Sequence, residues 1–130
     1  MPLDKNGYET LLQLRSAIRK YIRFVDEGAH AVGITPQQHQ LLLAIKGQQR
    51  RDWATVSEIA DELQLKHNSA VGLANRCQTA GLIRKEASMQ DRRYVRLFLT
   101  ARGESLLEEL TLRNLEQLHL LKNAFTFVIK

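Results

Sequence analysis

A single cysteine, Cys77, in 130 residues excludes any disulfide within the chain. Stability must come from packing, and such cysteine usage suits a reducing compartment. Prolines number two and glycines seven, too few for a collagenous or low-complexity chain. No stretch approaches the roughly 18 to 20 apolar residues that a membrane span needs. The start Met1-Pro2-Leu3-Asp4-Lys5-Asn6 lacks the basic end and apolar run of a secretory signal. The expectation is a cytoplasmic protein with no membrane partner.

Catalytic and metal chemistry is equally short of material. The four histidines, His30, His39, His67 and His119, fall in no HExxH motif, and no cysteine pair stands near them. Neither a metal site nor a cofactor is therefore expected. Cys77 has no histidine close in sequence and no GxSxG-like elbow. It lies on the apolar stripe of a predicted helix, where inert packing is expected and redox sensing is the alternative. Glu108 and Glu109 are neighbours on a helix and point in different directions, so they make no acid–base pair. No enzyme is predicted.

What the chain has is a core and a localised charge. At 130 residues and 44% hydrophobic, it can bury one core and is too short for a second. Of the formal charge of +5, residues 1–45 carry five basic and four acidic side chains (+1), residues 46–103 eleven and six (+5), and residues 104–130 three and four (−1). The excess sits in the middle, as a polyanion-binding segment on a neutral scaffold requires.

That middle segment is patterned. Thr55-Val56-Ser57-Glu58 is a capping box, in which the Thr55 hydroxyl takes an orphan N–H and Glu58 reaches back to the cap. Ile59, Ala60 and Leu63 then repeat on one helical face; Gln64-Leu65-Lys66 breaks the pattern, and Ala70, Leu73, Ala74 and Cys77 resume it at i, i+3, i+4, i+7. Two short amphipathic helices about three residues apart match a helix-turn-helix. At 100° per residue, Asn68, Gly72, Asn75, Arg76 and Thr79 face away from the core, flanked by Ser69 and by Lys66 and His67 at the entrance. This face carries donors and acceptors, no acid, and the width of a major groove. A solvated helix face has the same composition.

After Gly81, a natural C-terminal cap, Leu82 to Ala87 and Tyr94 to Leu99 read as two antiparallel strands around Ser88-Met89-Gln90-Asp91. Arg92 and Arg93 stand at the tip, where guanidinium groups suit the narrow minor groove. Asp91 is costly beside phosphate unless it braces one arginine. A purely structural hairpin with a solvated tip remains the other reading.

Taken together, Thr55 to Leu63, the run Arg76-Cys77-Gln78-Thr79-Ala80-Gly81-Leu82-Ile83, and Asp91-Arg92-Arg93 with Leu99-Thr100-Ala101-Arg102-Gly103 behind it resemble the MarR-type winged helix-turn-helix regulators. The resemblance implies a mainly α fold with a small β-hairpin wing, a long helix before the DNA-binding unit and two helices after it for dimerisation. It implies that the recognition helix begins near Lys66, that Asn68, Ser69 and Arg76 lie on its DNA side, and that Arg93 is the wing-tip arginine positioned by Asp91. It implies also a small-molecule pocket between the first helix and the DNA-binding unit. Gly72 departs from the family, standing where many members carry a long polar or basic side chain, and Cys77 replaces a usual leucine. Redox-sensing relatives are implied to carry their cysteine in the first helix, where this chain has none.

The flanks read as dimerisation elements. Leu11, Leu14, Ile18, Tyr21, Ile22 and Val25 form one stripe of a helix from about Gly7 to about His30. Such a helix outreaches the compact centre, so part of its stripe needs a partner. Thr35-Pro36-Gln37-Gln38 opens the next helix, with Leu41, Leu42 and Ile45 buried and Gly47 at its end. Arg50 and Arg51 follow in an exposed basic loop that is also within reach of phosphate, leading to Trp53-Ala54-Thr55 as a third short strand. From Glu104 the chain is apolar on several sides, with Leu118, Leu121, Phe125 and Val128 the predicted dimer contacts, and a break near Arg113-Asn114 would divide it into two helices.

One domain, 1–130, is expected, with a winged helix-turn-helix unit over 35–103 and dimerisation elements over 1–34 and 104–130. The predicted function is a homodimeric regulator of transcription, a repressor on pseudo-palindromic double-stranded DNA, with half-sites about 34 Å apart and a small-molecule inducer. The other class left open is a protein-interaction module that has lost specific DNA binding.

Overall fold

A computed structural model of the chain describes residues 3–87, 90 and 94–128, the last six of these by backbone alone. The order is α1 (Lys5–Ala31), α2 (Pro36–Lys46), β1 (Trp53–Thr55), α3 (Val56–Leu63), α4 (His67–Thr79), β2 (Ile83–Ala87), β3 (Val95–Leu99) and α5 (Ala101–Val128). The strands form one antiparallel sheet in the order β1-β3-β2. Trp53 pairs with Phe98, and Ile83 with Leu99. The Trp53-Ala54-Thr55 strand read from the sequence therefore completes the hairpin's sheet.

Helix starts follow local chemistry. Asp4 accepts the Gly7 N–H, and Thr35 with Gln38 and Thr55 with Glu58 make two complete capping boxes. At Thr55 the reciprocal bonds are 3.2 Å from the Glu58 N–H to the hydroxyl and 3.0 Å from the Thr55 N–H to the carboxylate. α3 stops at Gln64, which adopts a left-handed φ of 56° and allows the Leu65 N–H to donate to Ala60 O at 2.9 Å. Three residues thus turn the chain from α3 into α4.

One core joins all layers. Leu41, Leu42 and Ile45 of α2, Ile59 of α3, Cys77 of α4, and Leu82 and Leu97 of the hairpin are fully withdrawn from solvent. Leu107 and Leu110 of α5 and Ala29 of α1 close the cluster. Each large side chain buried in this way contributes about 1.5–3 kcal/mol of transfer free energy.

The junction of α4, the sheet and α5 is built from short bonds. The Thr100 hydroxyl donates to Gly81 O at 2.6 Å and accepts the Gly103 N–H at 3.1 Å, while Arg102 Nη1 donates to Ala80 O at 2.6 Å. Gly81 has φ 75°, a left-handed turn that suits glycine. At Gly103 a Cβ would stand 2.1 Å from the Leu82 carbonyl oxygen. The Leu-Thr-x-x-Gly pattern is therefore a close backbone approach written into the sequence.

α5 corrects one expectation: it runs unbroken from Ala101 to Val128, with no division near Arg113-Asn114. The reason is lateral support. Arg113 Nη1 donates to Phe24 O at 3.0 Å, its guanidinium stacks on the Phe24 ring at 3.7 Å, and the Tyr21 hydroxyl donates to Asn114 O at 3.2 Å. Gly28 leaves the space that the guanidinium fills. α1 also begins and ends slightly outside the expected Gly7 to His30.

Candidate nucleic-acid interface

The exposed side of α4 is the centre of the candidate site. Ala70, Leu73, Ala74 and Cys77 are buried, which fixes the rotation of the helix. Lys66, His67, Asn68, Ser69, Asn75, Arg76 and Thr79 are exposed, and Gly72 is half-buried among them. The predicted face is therefore brought together on one element. Lys66 occupies the N-cap without a side-chain cap bond, and no acid stands in the first turn. α1, α2 and α3 each have a side-chain cap; α4 leaves its first N–H groups free for another acceptor, and its dipole favours an anion there.

The charge of the middle segment is mostly spent internally. Lys46 bridges Glu104 at 3.1 Å and Asp52 at 3.6 Å, which raises its pKa, the bond to Glu104 contributing most. Arg51 forms a fork with Glu58 and stacks on Trp53 at 4.2 Å, and Arg96 stacks on the same ring at 4.2 Å. That guanidinium fork, aided by the Thr55 bonds, holds the Glu58 carboxyl below the usual carboxylate range. Arg84 pairs with Glu86, and Arg102 is tied to Ala80 O. Among the described residues of this segment, Arg50, Lys66 and Arg76 are the cations without a hydrogen bond, ion pair or ring contact. Two of these three belong to α4 and its cap.

Two contacts were not anticipated from sequence. Lys85 Nζ donates to Asn75 Oδ1, linking β2 to α4 and occupying one acceptor of a predicted recognition residue. The period of two was the available signal, since Ile83 and Lys85 share a face and Ile83 is buried. The Arg51–Glu58 fork was hidden because Arg51 precedes the helix it supports by several residues.

Asp91, Arg92 and Arg93 lie outside the described residues, as do the side chains of Phe125 and Val128. The two strands on either side of the tip are present and paired as expected. Of the other predicted dimer residues, Leu11 and Ile18 on α1 and Leu118 on α5 are exposed, while Leu14 and Leu121 are half-buried. Cys77 is fully buried, and burial pushes its thiol up to about 11. A thiol that stays protonated and covered is a packing residue. Among the described residues no group of three or more His, Cys, Asp or Glu is placed to hold a metal, and no helix is long and apolar enough to cross a membrane.

Comparison with known proteins places this arrangement. Residues 32–93 match the model of the MarR family. The chain is 30% identical over 98 residues to the HTH-type transcriptional repressor MdtR of Bacillus subtilis (strain 168), covering 75% of this chain and 61% of that repressor's length. It superimposes on AbsC, a MarR family transcriptional regulator from Streptomyces coelicolor, with a TM-score of 0.75 at 16% identity, over 93% of this chain and 81% of AbsC. It superimposes also on a mutant of MepR from S. aureus bound to oligodeoxyribonucleotide, with a TM-score of 0.71 at 25% identity, over 89% and 82% of the two chains. With the helix-turn-helix, the three-stranded wing sheet and the flanking long helices all accounted for, the chain has the fold of the MarR family regulators and is similar to them in sequence over residues 32–93.

Proposed function

We propose that this protein is a cytoplasmic transcriptional repressor that binds double-stranded DNA as a homodimer. The observation that carries the reading is the exposed face of α4, which holds Lys66 and Arg76 unpaired, has no acidic side chain and begins with uncapped N–H groups. Such a face suits base edges and phosphates together. The DNA-bound MepR structure and the repressor MdtR support it by kinship. Lys66, His67, Asn68, Ser69, Asn75 and Arg76 are the proposed major-groove residues, and Arg93, with Asp91 and Arg92 beside it, the proposed minor-groove contact.

The dimer reading rests on the apolar surface of the terminal helices. Leu11, Ile18 and Ile22 on α1 and Leu115, Leu118 and Leu120 on α5 are each at least 41% exposed. An apolar surface of this extent marks an interaction site, and a two-fold copy would set two recognition helices about 34 Å apart. Release by a small molecule is the finer part of the proposal. A groove of about 420 Å³ lined by Leu43, Lys46, Leu107 and Leu112 has the size of a ligand site; it lies between α2 and α5, not against the first helix where the family resemblance implies a pocket. A ligand that fits one spacing of the recognition helices better than another would shift the dimer between them.

Selection of bound sites from random duplex DNA at low and near-physiological salt tests the core of the reading. A two-fold motif that survives the higher salt is expected. Sequence-blind binding that vanishes with salt would leave only an electrostatic footprint and favour a protein-interaction module. Arg93→Ala should weaken DNA binding about 10-fold with dimer and fold intact; unchanged affinity would rule out the wing contact.

A further inference from the structure

We infer that Gly72 is a seat for the Arg76 guanidinium, and that Arg76 placed there is the guanine-reading residue of the recognition helix. This inference rests on the DNA-binding reading above. Arg76 Nη1 lies 3.4 Å from the position a Cβ would take at Gly72. Long side chains on a helix lean toward its N-terminus and cover the residue four positions earlier. Here that residue has no side chain, so the guanidinium lies back over the middle of α4 rather than at its edge.

The neighbours leave it the task. Ser69, Gly72 and Thr79 lie within about 60° of Arg76 around the helix axis, and none carries a long side chain. Asn75 has its amide oxygen engaged by Lys85. Arg76 is exposed and, among the described residues, its guanidinium has no hydrogen bond or ion pair. Its fork of N–H groups is therefore free, whereas four of the six described arginines of the middle segment, Arg51, Arg84, Arg96 and Arg102, are committed to carboxylates, rings or carbonyls.

A free fork above the centre of a groove-width helix meets base edges, whereas a fork at the flank meets phosphate. Guanine presents O6 and N7 as two acceptors side by side in the major groove, the pair that a guanidinium matches with two parallel bonds. The missing side chain at position 72 is thus compensated from one turn later. A methyl group at 72 makes only ordinary contact with Nη1 at 3.4 Å; a longer side chain contests the same space.

The experiment compares the full-length parent with Arg76→Ala, Arg76→Lys, Gly72→Ala and Gly72→Gln by selection from random duplexes. It then measures affinity for the selected site and for that site with each base changed in turn. The parent should require one guanine per half-site, with about 10- to 100-fold discrimination there. Arg76→Ala should lose that discrimination alone, the other positions keeping theirs. Arg76→Lys should bind but discriminate poorly, because an ammonium is a point charge without the fork. Gly72→Ala should keep the guanine, and Gly72→Gln should change the base preferred at that position. The inference is overturned if Arg76→Ala selects the parent's sequence with uniformly weaker affinity and a salt dependence reduced by about one ion, the signature of a phosphate contact. A parent that selects no sequence defeats the DNA-binding reading itself and this inference with it. Because Arg76 is exposed, thermal unfolding of Arg76→Ala and Arg76→Lys should match the parent, and Gly72→Ala and Gly72→Gln, which replace a glycine inside α4, should unfold no lower than the parent.

Discussion

In the central unit, Leu41, Leu42, Ile45, Ile59 and Leu97 are 0% exposed, whereas Leu11 and Leu12 of α1 and Leu112 and Leu120 of α5 retain 60% or more of their surface. The same residue type thus has opposite fates within one chain. In the centre, three helices and a sheet converge, so an apolar side chain finds neighbours on every side. α1 and α5 are 27 and 28 residues long and run beyond that convergence, with only each other to pack against. Burial here is decided by what surrounds a residue: Ala29, Leu107 and Leu110 of the two long helices reach the shared core and are buried, while their outlying leucines have no such neighbours.

The largest effect should come from opening the closed region. Leu42→Ala leaves a cavity in a site with no solvent contact and should cost about 2–5 kcal/mol of unfolding free energy by urea titration. A cost below about 1 kcal/mol would mean that the centre is less closed than its burial implies.

Next is the open region, where the same kind of change should act on assembly. Leu118→Asp, on the exposed face of α5, should raise the dimer dissociation constant about 30-fold or more, as loss of a central interface contact does. Sedimentation should show monomer at concentrations where the parent is dimeric, with the circular dichroism of the fold retained. If the parent sediments as a monomer, the second surface belongs to something other than a copy of this chain.

A smaller effect tests how far the centre depends on local chemistry. Thr55→Ala removes the acceptor of the Glu58 N–H and should cost about 1 kcal/mol. The loss should be partly offset by the Arg51 fork, which still holds Glu58 in place.

The smallest effect is a pH dependence at the seam between the regions. His39 of α2 is buried, and that burial lowers its pKa from the ordinary value near 6.5, with Asp26 of α1 opposing the shift. The unfolded chain then binds a proton more readily than the folded one. Stability is complete above the unfolded value and declines as pH falls through about 6.5 toward the folded value. His39→Gln should flatten this slope between about pH 7 and 5 in thermal unfolding. Glu58 has the opposite charge type and is held low, so its contribution is lost only at more acid pH, below about 4.5. A parent whose stability rises on acidification to pH 5 would contradict the burial of His39 in its neutral form.

Much of the fold was legible because it is local. Both capping boxes, the left-handed Gly81, the alternation of the strands and the 3.6-residue stripe of α4 depend on neighbours a few positions away, and short-range sterics and hydrogen bonds settle them. The exposed face of α4 was legible for the same reason: once Ala70, Leu73, Ala74 and Cys77 turn inward, the helix period places Asn68 and Arg76 outward. Composition likewise showed that the positive charge is central.

Tertiary structure alone decided which of those charges are free. Arg51 and Glu58 are seven residues apart, Lys85 and Asn75 ten, Lys46 and Glu104 fifty-eight, and no local rule pairs them. The continuity of α5 was decided in the same way. Arg113 and Asn114 looked like a break because polar residues interrupt a leucine-rich run, but the Arg113 side chain donates to Phe24 O and the Tyr21 hydroxyl donates to the Asn114 main-chain carbonyl, tying this part of α5 to residues of α1 about ninety positions earlier. Sequence periodicity reports which face of a helix is apolar. Which polar groups remain available for a ligand depends on side chains brought together across the fold, and that is a property of packing.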